Sequence, residues 1–147
     1  MRVVVGLNLL ALVFLLWSAD WLVNREPPWL TYEQLPFPLV RPDEPVYAGG
    51  AVPLFVTRCS TATTARSYSL SHTLINLDTN ERTILPAGSA SIEPGCRAVN
   101  STANILDTST KPGNYLLEGY AEVNGRVRTT AVHWYSVPFV VSARTKP

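Results

Sequence analysis

YLLEGYAEVNGRVRTTAVHWY, running from Tyr115 to Tyr135, is the stretch on which the fold turns. Asn124-Gly125 is the preferred pair for a two-residue type I′ turn, because both central residues must take positive φ. A turn there pairs Val123 with Arg126, Ala121 with Arg128, Gly119 with Thr130, Leu117 with Val132 and Tyr115 with Trp134. Side chains alternate along a strand, so Tyr115, Leu117, Val132 and Trp134 gather on one face. Glu118, Tyr120, Glu122, Thr129 and His133 take the other. One apolar and one polar face is what an antiparallel sheet shows when it packs on one side.

The segments around this hairpin read the same way. Ala51 to Cys59 follows Gly49-Gly50 and reads as a strand with Leu54 and Val56 on one face. Ser67 to Leu77 alternates, with Tyr68, Leu70, His72 and Leu74 opposite Ser67, Ser69, Ser71 and Thr73. Asp78 to Glu81 is a turn, and Arg82 to Leu85 returns as a short strand. Glu93-Pro94-Gly95-Cys96 suits a type II turn. Ala103 to Thr108 is another short strand, Lys111-Pro112-Gly113-Asn114 another turn. Val137 to Val141 extends the last strand, with Pro138 at a bend or bulge. Arg144 and Lys146 lie in a tail over residues 143–147. Seven or more short strands, with turns every 8–12 residues or so, predict an all-β fold, a β-sandwich.

Pro112-Gly113-Asn114-Tyr115-Leu116-Leu117 resembles the Pro-Gly-x-Tyr-x-Leu entry into a late strand of immunoglobulin-like and fibronectin-III-like domains. The resemblance covers residues 46–142. It implies an immunoglobulin-like β-sandwich with Tyr115 at a position similar to a tyrosine corner. Cys59 and Cys96 depart from the antibody pattern, since neither sits two residues after Tyr115. A likeness at the level of fold transfers no catalytic or binding residue.

Upstream, Val3 to Ala19 carries no charge, and the apolar run resumes through Trp21, Leu22 and Val23. As a helix, Val3 to Val23 is about 31 Å long, close to a bilayer core. Cleavage after Ala19 would put Trp17 two residues before the cut, and cleavage after Ser18 would put Leu16 there. Neither is small, as a signal peptidase site requires. The expectation is therefore an uncleaved signal-anchor, a transmembrane helix over residues 1–23. Arg2 and the terminal amine place the N-terminus in the cytoplasm and the C-terminal domain in the periplasm or outside the cell. Trp17 and Trp21 fall at the outer interface, and Asn8 is a polar residue in mid-span. A cleaved signal and a secreted soluble domain are the alternative.

Residues 24–45 form a connector holding Pro27, Pro28, Pro36, Pro38, Pro42 and Pro45. Proline removes donors and fixes φ, so neither a long helix nor a central strand fits. Trp29, Tyr32 and Phe37 are interleaved with them, which a solvated linker would not need. The segment either lies along its own domain, partly as an edge strand, or docks on another protein. Candidate partner contacts are Trp29, Tyr32, Phe37, Tyr120 and His133.

The inventory for chemistry is thin. Cys59 and Cys96 beyond an export signal pair most simply as one disulfide. Closing a loop of about 38 residues contributes roughly 4 kcal/mol in the chain-entropy model. Two buried thiols are the alternative. His72 shares a face with Tyr68, Leu70 and Leu74, as a core or boundary histidine does. His72 and His133, without a third ligand, give no metal site. Ser71, His72 and Asp78 form no nucleophilic set: neighbours on a strand point to opposite faces, and no glycine elbow surrounds the serine. No phosphate-binding glycine loop is present, and no cofactor is implied. Asn100-Ser101-Thr102 is a glycosylation acceptor in a eukaryotic host alone. Twelve Lys and Arg against eleven Asp and Glu leave a net charge of +1, without the basic footprint of a nucleic-acid binder. The sequence thus points to a non-enzymatic, single-pass membrane protein whose exported β-sandwich contacts a protein partner, an accessory subunit of an envelope or virion assembly. Its plan resembles small bitopic proteins of bacterial and phage envelopes. A secreted binding module and an exported hydrolase are the other readings, the second disfavoured by the residues present.

Overall fold

A computed structural model describes the backbone of residues 2–25, 27–126 and 128–143, and the side chains of residues 10–21, 27–102, 105–126 and 128–143. One helix, α1 (Arg2–Arg25), precedes nine strands. These are β1 (Leu30–Tyr32), β2 (Val46–Tyr47), β3 (Ala51–Ser60), β4 (Arg66–Asn76), β5 (Arg82–Ile92), β6 (Gly95–Ile105), β7 (Gly113–Asn124), β8 (Thr129–Tyr135) and β9 (Phe139–Ser142). The smaller sheet has the order β1-β3-β6. The larger has the order β2-β9-β7-β4-β5, with β8 also paired to β7, and it curls as a half-barrel.

Alternation builds the core. Val52, Leu54 and Val56 of β3 face Leu74 of β4, Leu117 of β7 and Val141 of β9, and Phe37, Leu39 and Trp134 complete the cluster. A second cluster joins Trp29, Leu30, Tyr68, Ile92, Ala121 and Val123 at the other end. Gly119 sits where Trp134 crosses. A Cβ there would come within 2.6 Å of the indole and 2.4 Å of the Ser71 carbonyl oxygen.

The connector is laced through both sheets. Leu30–Tyr32 pairs with β3, Tyr32 opposite Arg58. The Phe37 amide donates to the Tyr135 carbonyl (2.8 Å), and the Val137 amide donates to the Phe37 carbonyl (2.9 Å). Just beyond, the Val40 amide donates to Pro53 O and the Phe55 amide to Pro38 O, both at 2.9 Å. Prolines cannot extend a ladder, so the segment attaches by single bonds at the residues between them.

The hairpin departs from its predicted register. Ala121 pairs with Val132 and Gly119 with Trp134, so the loop spans four residues rather than two. The shift is even, and each side chain keeps its face. Asn124 stays in β7, without positive φ. Its carbonyl accepts the Trp29 indole N–H at 3.0 Å, and its Oδ1 accepts the Thr129 hydroxyl at 2.8 Å. These contacts hold Asn124 extended, and the Gly125 amide closes the loop on Arg128 O at 2.8 Å. Tyr115 consequently lies opposite Phe139 of β9, not Trp134.

β5 and β6 are also longer than expected, eleven residues each. Ladder bonds to β4 and β3 supply what their Ser, Ala and Gly side chains lack in apolar surface. The β4–β5 register slips between Leu70 and His72, which places Pro86 in a bulge where no ladder donor is needed. Gly95 has φ +91°, as the third position of a type II turn requires.

The expected immunoglobulin-like sandwich behind a membrane helix is corrected on both counts. Among the described residues no helix is long and apolar enough to cross a membrane. The transmembrane signal-anchor, the membrane contact through residues 3–23 and the inside-to-outside placement fall with that finding. The Asn8 side chain and residues 144–147 of the tail lie outside the described residues. As to the sheets, a curled half-barrel of six strands stands beside a second sheet of three, which is not clearly an immunoglobulin sandwich. The Tyr115 hydroxyl does donate to the Lys111 carbonyl at 2.8 Å, a bond of the tyrosine-corner kind. It is local, and it does not decide how two sheets close.

Candidate functional site: a cleft between two strand edges

The chain leaves the larger sheet at the end of β5 and enters the smaller at the start of β6. The two strands are each the last in their sheet, and among the described residues nothing pairs with their outer edges. Between them a cavity of about 360 Å³ opens into the space between the sheets, within the usual range for small-ligand pockets.

Each wall follows from strand alternation. On β3, Leu54 and Val56 point inward, and the next inward position is Arg58. On β4 the inward set is Tyr68, Leu70 and His72. Ser89 and Ala90 of β5 and Asn100, Ser101 and Thr102 of β6 form the mouth. Aromatic rings line one side in sequence: Tyr32 meets Phe37 edge-on with centroids 5.1 Å apart, Phe37 meets Trp134 at 5.5 Å, and Trp134 meets His72 at 5.3 Å.

Arg58 Nη1 donates to the Tyr68 hydroxyl at 2.7 Å, bridging the sheets. Arg58 Nε and Trp134 Nε1 are buried donors with no acceptor among the described residues. Burial pushes the Tyr32 phenol well above its usual range, helped by Tyr68 and opposed by the Arg58 charge, so Tyr32 is a neutral phenol at any physiological pH. Burial lowers the His72 imidazole below 6.5, although a hydrogen bond to the Pro86 backbone works the other way. Among the described residues that line the cavity, Arg58 is then the one full charge at neutral pH.

His72 makes a prediction. Its folded imidazole takes up a proton less readily than the unfolded one, so below about pH 6.5 the unfolded chain binds more protons. Its contribution to stability is complete above that pH and is lost as the pH falls below it. The melting temperature is expected to drop between pH 7.5 and 5.5 in the wild type, and His72→Gln should flatten the profile in that window. An unchanged slope in the variant would assign the dependence elsewhere. Asp78 and Asp107 are held below 3.8 by hydrogen bonds from Asn114 and Ser109, so their contribution is lost in a separate window, below about pH 4.

Cys59 and Cys96 face each other on β3 and β6 and are joined as a disulfide. The Glu33 carboxylate lies 3.4 Å from Cys59 Sγ. These three groups have donor atoms within 4.8 Å of one another, but oxidised sulfurs are not thiolates and do not ligate metal as such.

No protein-family model and no curated protein matches the chain. Among solved structures it is similar to the Pseudomonas fluorescens alkylpurine DNA glycosylase AlkC bound to DNA containing an abasic site analog, at 13% identity and a TM-score of 0.46. The match covers 80% of this chain and 31% of that one, so the chain spans about a third of the glycosylase's length. That neighbour is an enzyme bound to DNA, unlike the non-enzymatic role without nucleic acid expected from the sequence, and those two expectations are not carried forward. At this identity and score the likeness carries no argument for glycosylase chemistry or DNA binding here.

The five candidate contacts separate into three groups. Tyr32 and Phe37 meet at the cavity, Phe37 fully buried and Tyr32 half-buried. Trp29 is buried in the second cluster, edge-on to Tyr68 and 5.6 Å from the Arg66 guanidinium. Trp29 and Phe37 are thus packed in the domain's own core. Tyr120 and His133 stay exposed on the outer face of the larger sheet, rings 4.8 Å apart, where Glu118 lies 3.7 Å from His133 and 2.9 Å from Arg82. Arg58, Tyr68 and Trp134 were not singled out as a site. Arg58 had a readable signal: it continues the Leu54–Val56 face by one alternation, which puts a charge where an apolar residue belongs.

Proposed function

We propose that the protein is a partner-binding module that receives an extended polypeptide segment in the cleft between β5 and β6. The observation that carries this is the pair of free eleven-residue edges flanking an apolar cavity. Unpaired edges are templates for strand addition, in which the backbone supplies affinity and side-chain pockets supply selectivity. Peptides selected from a random display library on the domain test it. Binding is expected to slow amide exchange in β5 or β6, and Ala90→Lys, at the mouth, to weaken it at least tenfold. A second reading uses the outer face of the larger sheet, where Tyr120, His133 and Tyr135 form an exposed aromatic ladder with neighbouring rings 4.8 and 6.0 Å apart. Aromatic residues of this kind are enriched at interfaces. Peptides that bind without protecting β5 or β6, and are lost with Tyr120→Ala, would move the function to that face.

A further inference from the structure

We propose that the cavity between β5 and β6 is a receptor for a carboxylate carried on a compact apolar body, with Arg58 as its anchor. The inference goes beyond strand addition, because it concerns what the cavity itself accepts. Arg58 stands on the inward face of β3 among Leu54, Val56 and Tyr32. Among the described residues no carboxylate lies within ion-pair distance of it, and no acidic side chain lines the cavity. One of its nitrogens is used by the Tyr68 hydroxyl, while Nε–H has no acceptor.

The strand register adds a second cation. Arg97 of β6 lies directly opposite Arg58 of β3. Opposite residues share a face with Cβ atoms about 5 Å apart, and like charges so placed repel. Arg97, exposed at the edge, also has no ion-pair partner among the described residues. Neither tyrosine offers a counter-charge, since the Tyr32 phenol stays protonated and Tyr68 serves as acceptor. A carboxylate entering from the mouth meets both guanidinium groups and supplies the missing charge. The rest of the ligand lies against Phe37, Leu54, Val56 and Trp134. Arg is the residue suited to this task, because its planar fork matches a carboxylate and it sheds water more readily than an ammonium.

The carboxylate can come from a free small acid or from the C-terminus of a partner chain. Calorimetric titration of the full chain with 4-phenylbutyrate and with its neutral amide tests the first source. An acetylated pentaalanyl-phenylalanine with a free terminal carboxylate, and its amidated twin, test the second. At least one acid is expected to bind ten times or more tighter than its amide. Arg58→Gln should remove that preference and Arg97→Gln should reduce it. Arg41→Gln, at a surface pair with Glu44, should leave it unchanged. Circular dichroism and melting curves establish that each variant is folded. Should Arg58→Gln fail to fold, the acid-to-amide ratio on the wild type still decides. Equal binding of acid and amide, or no binding of any of the four probes at millimolar concentration, overturns the proposal. An amidated peptide that binds as well as the acid and protects β5 or β6 overturns the carboxylate anchor while sustaining strand addition.

Discussion

Phe37→Ala is expected to destabilise the domain by about 3–5 kcal/mol, a large share of the roughly 5–15 kcal/mol that holds a typical domain together. Phe37 belongs by sequence to a proline-rich connector, where truncation should matter little. In the structure it is 2% exposed, between Tyr32 and Trp134, and its backbone bonds to both Tyr135 and Val137. Removing the ring leaves a void against two aromatic neighbours that are themselves held by ladder bonds, so the site collapses only partly. Urea unfolding followed by circular dichroism measures the change. Leu35→Ala supplies the contrast: Leu35 is 42% exposed in the same segment, and surface substitutions of this kind stay within about 0.5 kcal/mol. Equal small effects at both positions would mean that the connector is not part of the cooperative unit.

The second large effect belongs to the disulfide. The Cys59→Ser, Cys96→Ser double variant is expected to lose about 4 kcal/mol, by the chain-entropy argument for a sequence separation of 37. The closed loop contains all of β4 and β5, so the crosslink joins the two points of the smaller sheet at which the chain departs for those strands and returns. The same shift in urea midpoint should follow when the wild type is reduced. A loss below about 1 kcal/mol would show that the β3–β6 ladder already confines the two ends in the unfolded ensemble.

The strand faces were legible because alternation is a local property. Tyr68, Leu70, His72 and Leu74 on one side of β4, and Leu117 and Trp134 on one side of the hairpin, needed only the order of residues. Even a four-residue error in register left them on the right face. The site was less legible. Its wall draws Arg58 from β3, Tyr68 from β4, Trp134 from β8 and Tyr32 from the connector, residues far apart in the chain. Arg58 could have been noticed as a charge in an apolar alternation. Nothing in the order of residues says that Tyr68 would meet it, or that β5 and β6 would be left without neighbours.

By itself, then, the sequence determined the β character, the inward and outward faces, the turn at Gly95 and the two cysteines available for a crosslink. Each follows from dihedral preference or from the two-residue period of a strand. Tertiary structure decided the rest. It set the hairpin register, because Asn124 is held by Trp29 from the far end of the chain. It drew the connector into the core, because the buried area of Trp29, Leu30 and Phe37 outweighs the stiffness of the prolines around them. It left a cleft between the sheets, because β5 and β6 end their separate sheets without pairing with each other. Long-range pairing of this kind is a sum over distant segments, and no local window of sequence contains it.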